Sequence, residues 1–195
     1  MKIKEMIEKR RKISENKKLI KRFPFLLPRN RWTGKVSDDY DYSYTELDEM
    51  PNGWRIAFGE QMCQEIKDEL DKFNFTDEYR IMQIKSKYGM LRWYDGGYPK
   101  GSKIQDIINK YEDLSMCYCY RCGKPTKYRT EGWIEYFCED CKNEFVEKKY
   151  YHEDSFVKLS KEEDLPQRIR YVDGCEIELP TDPEVLKIVK ENWEE

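Results

Sequence analysis

Four cysteines carry the clearest chemical pattern in this chain. They form two C-x2-C pairs, Cys119/Cys122 and Cys138/Cys141, separated by fifteen residues. This spacing is typical of structural zinc sites, because each pair places two thiolates on one tight turn and two such turns complete a tetrahedron. Gly123 follows the first pair, where the turn needs an unusual backbone angle. Four protein ligands leave no position for water, so the pattern predicts a Zn2+ ion with a structural rather than a catalytic role.

The cysteines allow other interpretations. Cys117 lies two residues before Cys119 and could replace it as a ligand, although its spacing to Cys122 fits a metal-binding turn less well. An iron–sulfur cluster also takes four cysteines, but the two-plus-two spacing around a ribbon-like loop favours zinc. A thioredoxin-like redox pair needs a strand-then-helix context, which these pairs lack. Cysteines in metal spacing are typical of a reducing compartment rather than of a disulfide framework.

Few other residues predict catalysis. His152 is the single histidine, it lies in an acidic segment, and we interpret it as a surface residue. The chain contains no zinc-protease, nucleophile-elbow or phosphate-loop motif. Its 39 acidic residues leave a nuclease or other hydrolase as a second alternative, with no residues assigned to the reaction.

Charge is distributed unevenly along the chain. Residues 1–35 contain 13 basic and 3 acidic side chains, a balance of +10, whereas the remaining residues contain 23 basic and 36 acidic ones, a balance of -13. A basic arm of this kind could grip nucleic acid, pair with its own acidic body, or bind an acidic partner. The acidic body disfavours a broad phosphate-binding face.

Nucleic-acid binding is the first alternative function. It would use the basic N-terminal helix together with a mixed basic and aromatic patch between Lys85 and Trp93, because aromatic rings among cations can stack on bases. The residues assigned to it are Lys9, Arg10, Arg11, Lys12, Lys17, Lys18, Lys21, Arg22, Lys85, Arg92 and Trp93.

Hydrophobic periodicity predicts four helices that would position these groups. They cover residues 1–22, 54–72, 104–115 and a final stretch from 183 to 193. Asn52 is the predicted N-cap of the second helix, and Ser102 to Gln105 has the form of a capping box for the third.

Two hairpins are predicted from strand and turn signals. The first joins Tyr79–Lys85 to Met90–Tyr94 through Tyr88-Gly89, and the second joins 169–172 to 175–179 through an Asp-Gly turn. Residues 145–151 are predicted to form a short helix or strand. The tyrosines among the acids of 38–44 favour a segment that wraps the surface through its rings, and a contact epitope is the alternative.

Together these elements predict an α+β fold. We expect a small antiparallel sheet, amphipathic helices and an inserted treble- or zinc-ribbon-like four-cysteine module at about 116–148. The predicted division is a basic helical arm over 1–35 and an α+β domain over 36–195. No apolar run of about 18 residues predicts a membrane span, and the basic N-terminus lacks the apolar core of a secretory signal. We therefore expect a cytoplasmic protein.

Several of these segments resemble a group of small proteins encoded by bacteriophages, prophages and other mobile elements. The matching segments are 26–34 (LLPRNRWTG), 51–55 (PNGWR), 83–94 (QIKSKYGMLRWY) and the cysteine module with Gly132-Trp133-Ile134 between its pairs. The glycine pair usual before Leu-Arg is Gly89-Met90 here. The resemblance implies a viral accessory gene expressed in a bacterial cytoplasm, and it implies no activity.

Accessory phage proteins commonly bind and modulate a host protein or complex, including defence systems. We therefore expect a non-enzymatic, zinc-stabilised protein that binds a bacterial host or phage protein. Nucleic-acid binding is the alternative. The acidic body and the 14% aromatic content favour a protein partner.

Overall fold

The computed structural model describes residues 3–160, 168–172, 175–179 and 181–193. The α-helices in these ranges are α1 (Ile3–Arg22), α2 (Asn52–Trp54), α3 (Glu60–Asp71), α4 (Ile104–Cys117), α5 (Glu139–Glu147) and α6 (Pro183–Trp193). The strands are β1 (Ile81–Lys87), β2 (Met90–Asp95), β3 (Tyr128–Thr130), β4 (Tyr136–Phe137), β5 (Phe156–Lys158), β6 (Arg168–Val172) and β7 (Cys175–Leu179). Short 3-10 turns cover Pro24–Leu26, Glu46–Glu49 and Glu153–Ser155.

The strands form three small antiparallel sheets. Their strand orders are β1-β2, β4-β3-β5 and β6-β7. Helices and small antiparallel sheets confirm the predicted α+β class. No helix in the described ranges combines the length and apolar character needed to cross a membrane.

The helix predicted over 54–72 is present and its apolar stripe is buried. α2 runs through a π-helical turn (Arg55–Gly59) directly into α3. Phe58, Met62, Ile66 and Leu70 point into the core, whereas Phe73 lies beyond the helix end and is 40% exposed. The repeat of three and four residues therefore predicted the buried face correctly up to the last turn.

Both predicted helix caps are wrong. Asn52 is the first helical residue and forms no side-chain cap, since the cap position is occupied by Pro51. α4 begins after Lys103, whose backbone N–H donates to Glu69 Oε1 at 2.8 Å, and the Ser102 hydroxyl forms no hydrogen bond. In each case a partner from elsewhere in the fold takes the place of the local cap.

The first predicted hairpin is confirmed, with strands shifted by one or two residues from the predicted bounds. β1 and β2 pair so that Ile84 faces Trp93 on the buried side. Tyr88 and Gly89 both have positive φ, +55° and +74°, as a two-residue hairpin turn requires. The register places Lys85 opposite Arg92 on the other face.

The main hydrophobic core joins the helices to the first sheet. Residues predicted to belong to the N-terminal arm contribute to it, because Phe23, Phe25 and Leu26 are buried and Leu19 packs against them. The first half of α1 is exposed, and Ile3 is among its exposed side chains. The basic helix therefore docks on the body by its C-terminal half.

The tyrosine-rich segment lies against α1. Tyr40 contacts the rings of Tyr42 and Tyr44, and the buried Asn16 of α1 donates to the backbone oxygen of Tyr42 at 2.9 Å. The Lys17 ammonium lies 5.1 Å from the centre of the Tyr42 ring. These contacts agree with the surface-wrapping interpretation.

The elements after the second cysteine pair follow the predictions except for α5, whose bounds differ, and β5, which was not predicted. The segment predicted as a helix or strand near 145–151 is helical, but its helix α5 begins earlier and ends at Glu147. β5 was not predicted and pairs with β3. β6 and β7 pair as predicted, the Asp-Gly turn between them lies outside the described residues, and α6 begins at the predicted Pro183.

Candidate metal centre

Four thiols converge at one point. The Sγ atoms of Cys119, Cys122, Cys138 and Cys141 all lie within 4.8 Å of one another. A tetrahedron with Zn–S bonds of about 2.3 Å places its sulfurs about 3.8 Å apart, and the Cys122 and Cys138 sulfurs are 3.5 Å apart. The cysteines are free thiols, since a disulfide would need about 2 Å. The geometry fits one metal ion held by four sulfurs.

The first pair lies on a tight turn. The Cys119 N–H donates to the Lys124 oxygen at 2.7 Å, and the Gly123 N–H donates back to the Cys119 oxygen at 3.0 Å. Gly123 has φ +78°, which a residue with a side chain rarely adopts, so glycine suits this position as predicted. The Lys124 backbone N–H also points at the Cys122 sulfur. Such N–H···S bonds stabilise a thiolate.

The second pair lies at the start of α5. Cys138 precedes the helix and Cys141 lies in its first turn. A helix start carries unpaired N–H groups and a partial positive charge, which favour thiolates there. The Cys141 N–H points at the Cys138 sulfur. β3 and β4 connect the two pairs and bring them together.

Burial and neighbouring sulfurs oppose the ionisation of the second cysteine pair. Burial raises the pKa of Cys138 to about 11, and burial together with the neighbouring Cys119 raises the pKa of Cys141. Burial acts on Cys122 in the same direction, but the N–H of Lys124 and the other sulfurs lower its pKa overall. A cation among the four sulfurs would offset this repulsion and stabilise the thiolate forms.

Aromatic rings enclose the centre. Phe137 is buried, and the rings of Phe145, Tyr151 and Phe156 lie 5.3, 6.3 and 5.6 Å from it. In the loop between the pairs, Tyr136 and Phe137 are buried, whereas Trp133 is exposed. This small cluster is separate from the main core and consists largely of the cysteines and these rings.

The start of α2 packs against the first cysteine turn and hydrogen-bonds to it. The Gly53 N–H donates to the Tyr120 oxygen at 3.0 Å, and the Trp54 indole donates to the Tyr118 oxygen at 3.1 Å. A methyl group on Gly53 would lie 1.9 Å from the Cys119 oxygen, so only glycine allows this approach. Sequence reasoning missed Gly53 because its partners lie far along the chain.

α6 and the β1-β2 turn contact the same module. The buried Trp193 indole donates to the Thr126 oxygen at 2.9 Å, and the Thr126 hydroxyl donates to the Met116 oxygen at 2.8 Å. Gly89 is so close to Ile134 that an added methyl group would lie 2.8 Å from its side chain. The cysteine module therefore contacts elements that precede it and an element that follows it in the chain.

Cys63, Cys117 and His152 lie outside the cluster. Cys63 and Cys117 are buried, and burial raises the pKa of the Cys117 thiol to about 12. Cys119, not Cys117, contributes the fourth sulfur to the cluster. His152 is exposed. Among the described residues, no second group of histidine, cysteine or carboxylate side chains converges as a metal site would require.

Several of the basic residues assigned to nucleic-acid binding pair with acidic side chains of this chain. On α1, Lys9 pairs with Asp41 at 3.2 Å, Lys12 with Asp48 at 3.1 Å, and Arg22 with Glu60 at 3.2 Å. Arg11 pairs with Glu15 in its own helix, while Arg10, Lys18 and Lys21 are exposed.

The predicted basic and aromatic patch on the β1-β2 hairpin does not lie on a single face of the hairpin. Trp93 is 4% exposed and its indole donates to the Tyr79 hydroxyl at 3.0 Å, so the prediction that it stacks on bases is wrong. Arg92 pairs with Glu112 at 3.3 Å, and the Lys85 ammonium lies 5.1 Å from the Tyr94 ring centre. Alternation along the strand separates Trp93 from Lys85 and Arg92.

Comparison with known proteins gives no match to this chain among family models, curated proteins or solved structures.

Proposed function

We propose that this chain is a non-enzymatic, zinc-stabilised protein that binds another protein. The zinc part is supported by the donor set, because four thiols within 4.8 Å provide the soft, tetrahedral site that zinc prefers. A single ion with four protein ligands has no open position for a substrate or water. Its role in the proposal is therefore structural.

The order of the ligands supports the proposal of a treble-clef or ribbon-like module. A turn supplies Cys119 and Cys122, a β-hairpin follows, and a helix start supplies Cys138 and Cys141. Zinc binding to such a module typically contributes about 10 kcal/mol of folding free energy. Because α2 and α6 bind the module through Gly53 and Trp193, the ion would stabilise more than its own loop.

Metal analysis of purified protein tests the zinc part. We expect about one zinc per chain by elemental mass spectrometry, and loss of zinc in Cys138→Ser. Cys117→Ala is the matched control, since Cys117 is buried beside the site but outside the four-sulfur cluster. Iron in place of zinc, or zinc loss in the Cys117 variant but not in a Cys119 variant, would contradict the assignment.

Exposed aromatic side chains are the observation that supports protein binding. Trp32 is 95% exposed, and Tyr88, Trp133 and Tyr150 are also largely exposed. Tryptophan and tyrosine contribute most to binding energy at protein interfaces. Several arm cations pair with the chain's own acids, which reduces the positive charge available for phosphates. The setting implied by the resemblance makes the proposed partner a bacterial host or phage protein.

Affinity capture from bacterial lysate, with and without nuclease, tests the binding function. We expect specific host proteins to be retained equally in both samples. Retention that disappears after nuclease treatment would favour the nucleic-acid alternative. If no protein is enriched over a control column, the proposed function is wrong.

A further inference from the structure

A cleft lies between the loop over residues 28–37 and the 3-10 turn Glu46–Glu49. It encloses about 420 Å³ and is partly open to solvent, which is within the range of roughly 300–1,000 Å³ that is typical of small-molecule sites. Three kinds of side chain line it, namely cations, tyrosines and carboxylates: Arg29, Arg31, Lys35, Tyr40, Tyr44, Glu46 and Glu49. Such a lining can contact a ligand that has an anionic group, a flat ring and N–H donors.

The positive charge on the loop side of the cleft is only partly neutralised by the chain itself. Arg31 lies 3.9 Å from Glu49, at the limit of an ion pair. Unlike several cations of α1, Arg29 and Lys35 form no ion pair with an acid in the part of the chain that the structure describes. Burial and the nearby charge of Arg29 lower the pKa of Arg80, so two guanidinium groups repel each other here. Positive charge without a partner favours an anionic ligand.

The loop that carries these cations is held by its own hydrogen bonds. The Asn30 side-chain oxygen accepts the backbone N–H groups two and three residues further along the chain, both at 2.9 Å. The Asn30 N–H donates to the Lys35 oxygen at 2.9 Å, and the Gly34 N–H donates to the Asn30 oxygen at 2.8 Å. The Arg29 guanidinium donates to the Gly34 oxygen at 3.1 Å. The backbone therefore has its shape before a ligand binds, which lowers the entropic cost of binding.

The 3-10 turn provides hydrogen-bond acceptors. The Glu49 carboxylate accepts from the Ile84 N–H of β1 at 3.3 Å, which fixes its position. Glu46 is half-buried, and burial together with the neighbouring Glu49 raises its pKa, although the Arg29 backbone N–H donates to it. A further N–H donor would stabilise the charged form of Glu46. The amino groups of nucleobases are donors of this kind.

Tyr40 and Tyr44 supply the aromatic part of the lining. Their ring centres lie 5.8 Å apart in an edge-to-face arrangement, and the Tyr40 hydroxyl donates to the Tyr44 backbone oxygen. Tyr44 is 50% exposed, so part of its ring can contact a ligand. Bases of any sequence stack on tyrosine rings, because every base has a π-face.

We propose that this cleft binds a nucleoside phosphate. The phosphate contacts Arg29 and Lys35, the base stacks on Tyr44, and an amino group of the base donates to Glu46. A phosphate ion alone uses the cations but neither the ring nor the carboxylate. The site contains none of the residues assigned to nucleic-acid binding and none of the cysteine ligands, and it goes beyond the proposed protein-binding function.

Isothermal titration calorimetry of the whole chain tests the site. The ligands are the 5′-monophosphates of guanosine, adenosine, cytidine and uridine, with inorganic phosphate as the reference. We expect the first three to bind at least about tenfold more tightly than inorganic phosphate or the uridine nucleotide, because neither of these has an amino group for Glu46.

Lys35→Ala and Glu46→Gln test the two ends of the ligand. Each removes one charged contact and should weaken binding of the guanosine nucleotide at least about tenfold. Lys35→Arg should retain binding. Lys100→Ala and Glu147→Gln are the matched controls, because both side chains are exposed and lie outside the cleft. Melting temperatures identify any variant that does not fold.

The results separate a nucleotide site from an adventitious anion site. If no nucleotide binds more tightly than inorganic phosphate, the proposal is wrong. Unchanged nucleotide binding by folded Lys35→Ala or Glu46→Gln would also overturn it, as would an equal loss in the control variants. The lysate capture that tests the proposed function is a separate measurement, so either idea can fail while the other stands.

Discussion

Gly53 illustrates how much a single residue can determine here. Its backbone N–H donates a hydrogen bond to the Tyr120 oxygen in the first cysteine turn. The two backbones are so close that a side chain at position 53 would not fit between them. Gly59, one turn and a half later in the same helix, has only ordinary contacts at 3.5 Å or more. The two glycines therefore differ in the reason for their presence.

Gly53→Ala and Gly59→Ala should have opposite effects on stability. The added methyl group at 53 must displace backbone, and we expect a loss of about 1–3 kcal/mol in the free energy of unfolding. At 59 the methyl group fits, and alanine should stabilise the helix by about 0.5–1 kcal/mol. Urea denaturation of the metal-loaded proteins measures both, and equal effects would contradict the role assigned to Gly53.

Asp48 should make the fold sensitive to acid. Burial raises its pKa, but the N–H of Thr45 at 2.6 Å and the cations Arg55 and Lys12 outweigh burial and lower it. A lowered pKa gives stability that is present above the unfolded value of about 3.9 and is lost as the pH falls through the folded value.

Asp48→Asn is the variant that tests this linkage. We expect it to be less stable than the original protein by about 1–2 kcal/mol at neutral pH. The gap should stay constant down to about pH 5 and narrow below pH 4. Denaturant titrations from pH 7 to pH 3 measure it. Asp106→Asn, on the exposed side of α4, is the control and should produce no such gap.

Single residues differ in how far the sequence predicts them. The four cysteines could be predicted because metal ligation imposes a local spacing that is visible in the chain. Gly53 could not be, because the carbonyl that excludes a side chain belongs to Cys119. Trp93 was misassigned because its aromatic and basic neighbours alternate between the two faces of a strand.

At the scale of elements, α6 anchors the C-terminal part to the metal centre. Val185, Val189 and Trp193 form its buried stripe, and the Trp193 indole bonds to Thr126 within the cysteine module. The stripe was predictable from its spacing of four. The target of the helix was not, because a buried N–H group does not identify its acceptor in the sequence.

Trp193→Phe should weaken the contact between α6 and the cysteine module while an aromatic ring still fills the Trp193 position. The ring remains, but the buried Thr126 oxygen loses its donor, and we expect a loss of about 1–2 kcal/mol in stability. Thermal and urea unfolding measure the change. Lys187→Ala on the exposed face of α6 should change stability by less than about 0.5 kcal/mol. If Trp193→Phe leaves the free energy of unfolding unchanged, α6 docks through its aliphatic contacts alone.

The helix caps show why element boundaries are less predictable than element existence. Asn52 and Ser102 are good caps by residue type, yet α2 starts against Tyr120 and α4 starts against Glu69. Tertiary partners satisfy the same N–H groups, so the local signal is overridden. Amphipathic stripes are more reliable because burial acts on many residues together.

At the scale of the whole molecule, α1 has two different halves. Residues 3–10 are exposed, whereas Asn16, Leu19 and Ile20 are wholly or partly buried against the body. The sequence predicted the helix and its charge but not this division, because isoleucines occur along both halves, at Ile3, Ile7, Ile13 and Ile20. The ion-pair partners of Lys9 and Lys12 are Asp41 and Asp48, which lie in the segment after residue 35.

Two truncations test this division. Removing residues 1–10 should change stability by no more than about 0.5 kcal/mol, since exposed ion pairs contribute little. Removing residues 1–22 should cost roughly 2–4 kcal/mol, because buried apolar contacts are lost. Circular dichroism melts of both proteins give the comparison. Equal melting temperatures would mean that α1 is not part of the folded body.

The contact between α2 and the cysteine turn also has a consequence for biosynthesis. Trp54 bonds to Tyr118, which leaves the ribosome 64 residues later. At about 5–20 residues per second this interval lasts roughly 3–13 s. During that time the first turn of the α2-α3 helix lacks its partner on the cysteine turn, and under the proposed zinc role that turn folds only with a bound ion. On that proposal, newly made chains in zinc-starved cells should expose apolar surface and be degraded, so pulse-chase measurements should show a shorter lifetime of the protein without zinc.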